Sequence, residues 1–168
     1  MFSDWNVDPH LVKSAIALVV GILFCWFPSG LIVRAILRLI EDPENIAAPK
    51  DIDEARWKEA VAIPNLSGGS MLGFLERLIA LIALAINAPL IIGAWLAFKV
   101  ASKWEAWSNI IQVNPKLGEK DEVSYLAARR RWGSIMYMRF ILGTISNLLL
   151  GMAAFGITWV ILEVWTEA

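Results

Sequence analysis

Residues 72–107 read LGFLERLIALIALAINAPLIIGAWLAFKVASKWEAW, and the rest of the chain is organised around this stretch. Its centre, residues 78–98, is 21 residues long and carries no charge. A helix needs about 20 apolar residues to cross the ~30 Å hydrocarbon layer of a bilayer. The Glu76-Arg77 pair precedes this centre, and lysines and tryptophans follow it. Charged and aromatic residues at both ends are typical of a membrane-spanning helix, so the stretch predicts one span.

The composition supports an integral membrane protein with a single domain over residues 1–168. Hydrophobic residues make up 58% of the chain, more than the ~45–50% of soluble proteins. The net charge of −1 leaves no large basic surface for phosphates, so nucleic acid is not expected as a partner. The chain has nine tryptophans, and many of them flank the apolar segments as interfacial anchors do.

Two further apolar segments resemble the central one in length and lack of charge. We therefore predict an all-α membrane protein with about three transmembrane helices and short interfacial amphipathic helices. Late in the first segment, Pro28 is expected to kink the helix, because proline removes a backbone hydrogen bond. The predicted spans cover residues 14–33, 78–98 and 141–162, and the polar connections cover residues 41–72 and 108–124.

Small and polar residues recur along one face of the predicted second span. Such faces allow helix backbones to approach closely in lipid. Asn87 lies near the middle of this face, and an amide there should face protein or water, since lipid offers it no partner. Pro89 should bend the helix nearby. The face comprises Glu76, Ala80, Ala83, Asn87, Ala94, Ala97 and Ala101, with Gly93 beside Ala94.

The third span carries a second face of the same kind. It contains Asn147, which is the other candidate for a buried amide, and we expect the two faces to pack on each other. Interhelical polar contacts of this sort contribute roughly 0.6–2 kcal/mol. The face comprises Gly143, Ser146, Asn147, Gly151, Ala154 and Thr158.

Arginines cluster near the ends of two spans. Arg34 and Arg38 follow the first span, either on an interfacial helix or as a snorkelling helix end. Arg129, Arg130 and Arg131 are consecutive and precede the third span. They are expected to contact anionic lipid headgroups, and the alternative is a solvated run that only fixes the topology.

The distribution of lysine and arginine predicts an orientation. With three spans, nine basic residues lie on the side of the N-terminus and the second connection, and six lie on the other side. The positive-inside rule then places the N-terminus in the cytoplasm. The first span alone argues the reverse, because Lys13 precedes it and two arginines follow it.

The sequence contains no recognisable catalytic or metal-binding motif. The chain has one cysteine, Cys25, and one histidine, His10, so paired CxxC and HExxH motifs are absent. We therefore expect no catalytic residue, no metal and no cofactor. The charges of Glu76 and Arg77 have two interpretations: an ion or headgroup site, or residues at the water boundary that hold the register of packed helices.

Two segments resemble a family of small bacterial integral-membrane proteins of unknown function. The first is GFLERLIALIALAINAPLIIGAWLAFKVASKW at residues 73–104, and the second is RFILGTISNLLLG at residues 139–151. The resemblance implies a location in the bacterial inner membrane and no established catalytic residues. It also implies that six residues form one set, namely Glu76, Arg77, Gly93, Lys99, Gly143 and Thr144.

These observations favour a non-enzymatic accessory or scaffold subunit of a membrane protein complex, whose partners are other membrane subunits or a second copy of itself, together with anionic lipids. The alternative is a small transporter or channel-like protein that uses Glu76, Asn87 and Asn147. A membrane enzyme acting on lipid is a third hypothesis. The residues predicted to pack helices or bind a partner are Glu76, Arg77, Ala83, Asn87, Gly93, Ala94, Gly143, Asn147 and Gly151.

Overall fold

A computed structural model describes residues 9–40, 47–48, 54, 57, 68–108 and 119–167. Every regular element in these ranges is a helix, which confirms the all-α prediction. In chain order the main helices are α1 (Pro9–Trp26), α2 (Pro28–Leu37), α3 (Gly68–Ala85), α4 (Leu90–Ser108) and α5 (Glu119–Glu167). The predicted polar connections at 41–72 and 108–124 lie largely outside the described residues.

Within the described residues, two helical segments are long and apolar enough to cross a membrane. One is the combined α1–α2 segment, Pro9–Leu37, and the other is Leu126–Trp165 within α5. Large apolar side chains on their outer surfaces, such as Leu23 and Trp159, are more than half exposed. These two segments contain the first and third spans that we predicted.

The kink expected in the first span lies between α1 and α2, at Phe27 and Pro28. Proline has no backbone N–H, so the carbonyl of Phe24 loses its usual helical donor. The hydroxyl of Ser29 donates to that carbonyl at 2.7 Å, and Ser29 is fully buried. The Phe24 carbonyl that the kink leaves without a backbone donor is thereby hydrogen-bonded without water, as a membrane-embedded helix requires.

The central stretch forms two helices where we predicted one span. Helix α3 ends at Ala85 and α4 begins at Leu90. Asn87 has φ of 55°, its N–H donates to Leu84 O at 3.0 Å, and the N–H of Ala88 donates to Ala83 O at 2.7 Å. This pair of bonds is a Schellman motif with asparagine in the left-handed position. Pro89 follows and cannot continue the helix, so the chain folds back as a hairpin.

Asn87 is exposed at the tip of this hairpin, and it is not a buried amide of a continuous span. The sequence pattern Asn-Ala-Pro carried the signal, because asparagine tolerates the left-handed conformation and proline commonly follows a helix end. Within so long an uncharged run, the same pattern predicts only a bend in a continuous helix. The sequence thus contains a helix stop signal inside an uncharged run that is long enough to span a membrane.

Replacement of Asn87 by alanine is expected to destabilise the hairpin by roughly 1–2 kcal/mol, because residues with a Cβ other than asparagine and aspartate resist the left-handed conformation. Asn87→Gly should be neutral or slightly stabilising, since glycine adopts positive φ freely. Unfolding of the two variants in mixed micelles, followed by circular dichroism, measures the difference. Equal stability of the alanine and glycine variants would contradict the assigned turn.

Helix α5 is the centre of the bundle and packs against α3, α1 and α2, whereas α4 packs chiefly on α3. Glycines allow the closest approaches. A Cβ at Gly151 would lie 2.6 Å from the Cβ of Ala80 and 2.6 Å from the carbonyl oxygen of Arg77. A Cβ at Gly21 would overlap the Thr158 hydroxyl. The α3–α5 and α1–α5 contacts therefore depend on residues without a side chain.

Gly151→Ala is expected to cost about 1–3 kcal/mol, the usual effect of overpacking a tight contact, because the backbone of α3 must move away. Gly156→Ala on the same helix is the matched control, since a Cβ there meets no atom of the described residues within 4 Å. The control should gain roughly 0.5–1 kcal/mol from helix propensity. Thermal stability in detergent, measured by size-exclusion chromatography after heating, should separate the two variants. Similar melting would argue against the close α3–α5 contact.

The contacts define two ends of the bundle. At one end, which we call the terminal end, Lys13 donates to the carbonyl of Trp165 at 2.6 Å. At the other, the connection end, Gly143 of α5 lies beside Leu37 of α2. The α1–α2 segment is therefore antiparallel to α5. Helix α3 begins at the connection end and is parallel to α5, so the hairpin enters the bundle from the connection end and its tip points toward the terminal end.

Candidate functional site

A buried network of polar side chains joins four helices near the connection end. Its members lie on α3, α4 and α5, and they reach the backbone of α1. All of their side chains are nearly inaccessible, although they lie among the apolar segments of the chain. Buried charges are costly unless they are paired and hydrogen-bonded, so this network is the polar feature that most requires an explanation. The network consists of Glu76, Arg77, Lys99, Thr144 and Asn147.

Glu76 is the acceptor at the centre of the network, and it is 1% exposed. One carboxylate oxygen forms an ion pair with the Lys99 ammonium group. The other oxygen accepts a hydrogen bond from Asn147 Nδ2 at 2.9 Å. Both carboxylate oxygens therefore have a partner, one on α4 and one on α5.

Arg77 reaches a different set of partners from its neighbour, because adjacent residues on a helix do not face the same direction. Its Nε donates to the carbonyl of Cys25 at 2.8 Å, and its Nη1 donates to Asn147 Oδ1. The Cys25 carbonyl lies in the last turn of α1, where helix carbonyls lack intrahelical donors. The kink at Pro28 thus creates an acceptor that the guanidinium group of Arg77 occupies.

Lys99 enters the network because the hairpin folds back on itself. Glu76 lies nine residues before the end of α3, and Lys99 lies nine residues after the start of α4, so the hairpin brings them to the same level. Lys99 also donates to Thr144 Oγ1, and its ammonium group is 4.7 Å from the centre of the Phe140 ring. Thr144 in turn donates to the carbonyl of Phe140 at 2.8 Å. A single span would have placed Lys99 about 34 Å from Glu76 along the helix axis, at 1.5 Å per residue.

Asn147 holds the two charged neighbours in place. Its amide donates to Glu76 through Nδ2 and accepts from Arg77 through Oδ1. Because one group serves as both donor and acceptor, its orientation is determined by the network. The buried amide expected on the third span therefore contacts Glu76 and Arg77, whereas its expected partner Asn87 lies at the hairpin tip.

The other residues predicted to pack helices have different environments. Ala83 is buried, and Gly151 lies at the close contact of α3 with α5. Gly143 lies against Leu37 of α2. Gly93 and Ala94 are exposed on α4, and a Cβ at Gly93 would meet no atom of the described residues within 4 Å. The predicted small-residue face is thus divided: its α3 half is covered and its α4 half is open.

The arginine run lies on α5 beyond the apolar segment. Arg129 is partly buried, and Arg130 and Arg131 are exposed. Nearby, Trp57 is 2% exposed and packs against Ala128, Trp132 and Ile135, so part of the first connection covers this end of α5. Arg129 is therefore close to packed structure, whereas Arg130 presents its charge outward.

Sequence reasoning did not include Lys99 and Thr144 among the predicted site residues. Lys99 is the first charge after the uncharged run, and a lysine there usually marks a membrane interface. Four of the six residues implied as one set by the family resemblance, namely Glu76, Arg77, Lys99 and Thr144, do lie in the network. Gly93 and Gly143 lie outside its hydrogen bonds.

Comparison of the chain with protein-family models, with curated proteins and with solved structures finds no significant match.

Proposed function

We propose that this protein is a non-enzymatic accessory subunit of a membrane protein complex, and that it packs against its partner through α4. The observation that carries the proposal is the open half of the small-residue face. Gly93, Ala94, Ala97 and Ala101 are all exposed, while the residues that continue this face on α3 are buried against α5. Small residues on a membrane helix favour close packing with another helix.

The buried network supports the view that α4 is held in a fixed position against α3 and α5. The ion pair of Lys99 with Glu76 attaches α4 to α3, and the hydrogen bond of Lys99 to Thr144 attaches it to α5. These contacts turn the opposite side of α4, which carries the small residues, away from the bundle. A rigid and correctly oriented face is what a partner helix needs for close packing.

Substitution of Ala97 by leucine tests this proposal, because a larger side chain should separate α4 from a partner helix. We expect the wild-type chain in mild detergent to give a particle larger than one polypeptide plus micelle, and Ala97→Leu to give a smaller one. Ala153→Leu is the matched control, since Ala153 is an exposed alanine on α5. Light scattering coupled to size exclusion gives the masses. A folded wild-type monomer, or equal dissociation of both variants, would contradict the proposal.

We also propose a membrane topology with two crossings and one re-entrant hairpin. The α1–α2 segment crosses from the terminal end to the connection end, and α5 crosses back. On each leg of the hairpin, only about 8–9 uncharged residues lie between the tip and the charged network, fewer than the ~20 of an uninterrupted crossing helix. Two crossings place both terminal segments on one side and both connections on the other.

The charges support one orientation of this topology. Of the 15 lysines and arginines, 14 lie on the connections or toward the connection end, and only Lys13 lies at the terminal end. By the positive-inside rule the connection end faces the cytoplasm and both terminal segments face outward. This proposal replaces the cytoplasmic N-terminus expected from three spans, and it agrees with the charge bias of the first span alone.

Cysteine accessibility in intact cells tests the topology. Cys25 is the chain's own cysteine and is buried, so it adds little background. An impermeant thiol reagent should label Thr166→Cys in intact cells, but Ala47→Cys and Ser108→Cys only after permeabilisation. The three-span arrangement predicts instead that residues 47 and 108 lie on opposite sides. Labelling of only one of these two in intact cells would therefore reject the hairpin topology.

A further inference from the structure

A cavity of about 540 Å³ lies at the connection end, beside the buried network. Residues of α2, α3, α4 and α5 line it, and the volume is within the ~300–1,000 Å³ range of small-molecule sites. Its inner surface includes Glu76, Arg77 and Lys99 of the network. The cavity is therefore continuous with the buried charges of the network.

Among the described residues that line this cavity, positive charges outnumber negative ones. Five of these residues are cationic and one is a carboxylate, and the cations are Arg34, Arg77, Lys99, Lys103 and Arg139. The one carboxylate, Glu76, is already bonded through both oxygens to Lys99 and Asn147.

The surplus of positive charge is clearest at Arg77. It is 3% exposed, and the acceptors of its hydrogen bonds are neutral, a backbone carbonyl and an amide oxygen. A buried guanidinium group carries a large desolvation cost that neutral acceptors offset only in part. An anion in the cavity would supply the missing countercharge, and guanidinium groups bind phosphate with good geometry.

The position and walls of the cavity indicate the form of the anion. Arg34 directly follows the uncharged residues 14–33, and Arg139 precedes the uncharged residues 141–162, so the cavity mouth lies at headgroup depth in a membrane. Val33, Leu37 and Phe140 form an apolar part of the wall. An amphipathic molecule with a phosphate and an apolar portion matches both features.

We propose that this cavity binds the phosphate group of a phosphate ester, with Arg77 and Lys99 at its base and Arg34, Lys103 and Arg139 at its mouth. A phospholipid headgroup and a soluble phosphate ester share this chemistry. The site is independent of whether a partner covers the open face of α4, because the cavity and that face lie on different sides of the helix.

The test uses the full chain in neutral detergent micelles, with phosphatidic acid and diacylglycerol as paired probes that differ only in the phosphate group. We expect phosphatidic acid to bind and diacylglycerol not to bind, as measured by native mass spectrometry. Binding should weaken as salt is raised, because the attraction is between charges. Equal binding of the two lipids would overturn the proposal.

Variants at the mouth avoid damage to the fold, because Arg34 and Lys103 are exposed and lie outside the buried network. The double variant Arg34→Gln/Lys103→Gln should bind phosphatidic acid at least about tenfold more weakly, since two charge-assisted contacts are lost. The single variants Arg34→Gln and Arg38→Gln are the matched control. Each removes one charge from an exposed position, but only Arg34 lines the cavity. An equal loss in these two single variants would mean a diffuse electrostatic attraction and would overturn the proposed site.

Glycerol 3-phosphate as a competitor distinguishes the two sources of the phosphate. If it displaces phosphatidic acid, the site accepts a soluble ester; if it does not, the lipid portion contributes and the ligand is a membrane lipid. Both results support a phosphate site. Absence of binding by both phosphate compounds overturns it, and this outcome leaves the particle-mass test of the accessory-subunit proposal unaffected.

Discussion

Glu76→Gln is expected to destabilise the folded chain by roughly 3–5 kcal/mol, the usual cost of removing one partner from a buried ion pair. Glu76 is the carboxylate of the network, and its two oxygens accept from Lys99 and Asn147. Glutamine keeps the shape of the side chain but removes the charge. Two buried cations, Arg77 and Lys99, would then remain without a carboxylate between them.

Lys99→Met should cost less than Glu76→Gln, although both substitutions break the same ion pair. After the loss of Lys99, Glu76 still has Arg77 beside it in the chain, so one buried negative charge remains with one buried positive charge. The expected cost is about 1–3 kcal/mol, that of a buried acceptor left with fewer donors. Methionine fills much of the volume of the lysine stem, so packing should change little.

The comparison of these two variants is the informative measurement. Unfolding free energies in mixed micelles, with increasing denaturing detergent, would give the order of stability. The double variant Glu76→Gln/Lys99→Met should recover part of the loss seen in Glu76→Gln, because it removes the surplus cation. If Lys99→Met were the more damaging single change, the charge balance inferred for the network would be incorrect.

Asn147→Leu is the second substitution with a large expected effect. Leucine has a similar size, but it can neither donate to Glu76 nor accept from Arg77. Two charged and buried groups would each lose a hydrogen bond, at about 1–3 kcal/mol apiece, so a total of roughly 2–6 kcal/mol is expected. The α3–α5 contact should loosen as well, because Asn147 joins both charged residues of α3 to α5.

Thr144→Val serves as the control for Asn147→Leu. Thr144 lies one turn earlier on α5, is equally buried, and has one hydroxyl that accepts from Lys99 and donates to Phe140. Lys99 keeps its ion pair with Glu76 in this variant, so the loss should be close to 1 kcal/mol. Backbone hydrogen exchange of α3 and α5 would report the difference. Equal protection in both variants would argue against the bridging role of Asn147.

Local signals accounted for much of the architecture. Uncharged runs of sufficient length predicted the apolar helices, and proline predicted the break at residue 28. Both depend on properties of neighbouring residues: the hydration cost of a charge in lipid, and the missing N–H of proline. The arrangement of small residues similarly indicated faces of close approach, and Gly151 lies in such a contact.

The central stretch contains two sequence signals that conflict. The 21 uncharged residues at 78–98 and the stop pattern at Asn87 to Pro89 favour different structures. The length of the run predicts a single span, but the structure has a Schellman turn at that position. The energetic reason is that a hairpin allows Lys99 to meet Glu76, and a straight helix would hold these two charges apart.

The sequence by itself determined the helical class, the lengths of the apolar segments, the kink at Pro28 and the residues small enough for close packing, because each follows from the chemistry of a residue and its neighbours. Only the tertiary structure decided which charges are paired. Glu76, Lys99 and Asn147 are separated by 23 to 71 residues along the chain, and their contacts exist because three helices bring them to one level. A charge buried in an apolar bundle needs partners, and the fold decides which partners it receives.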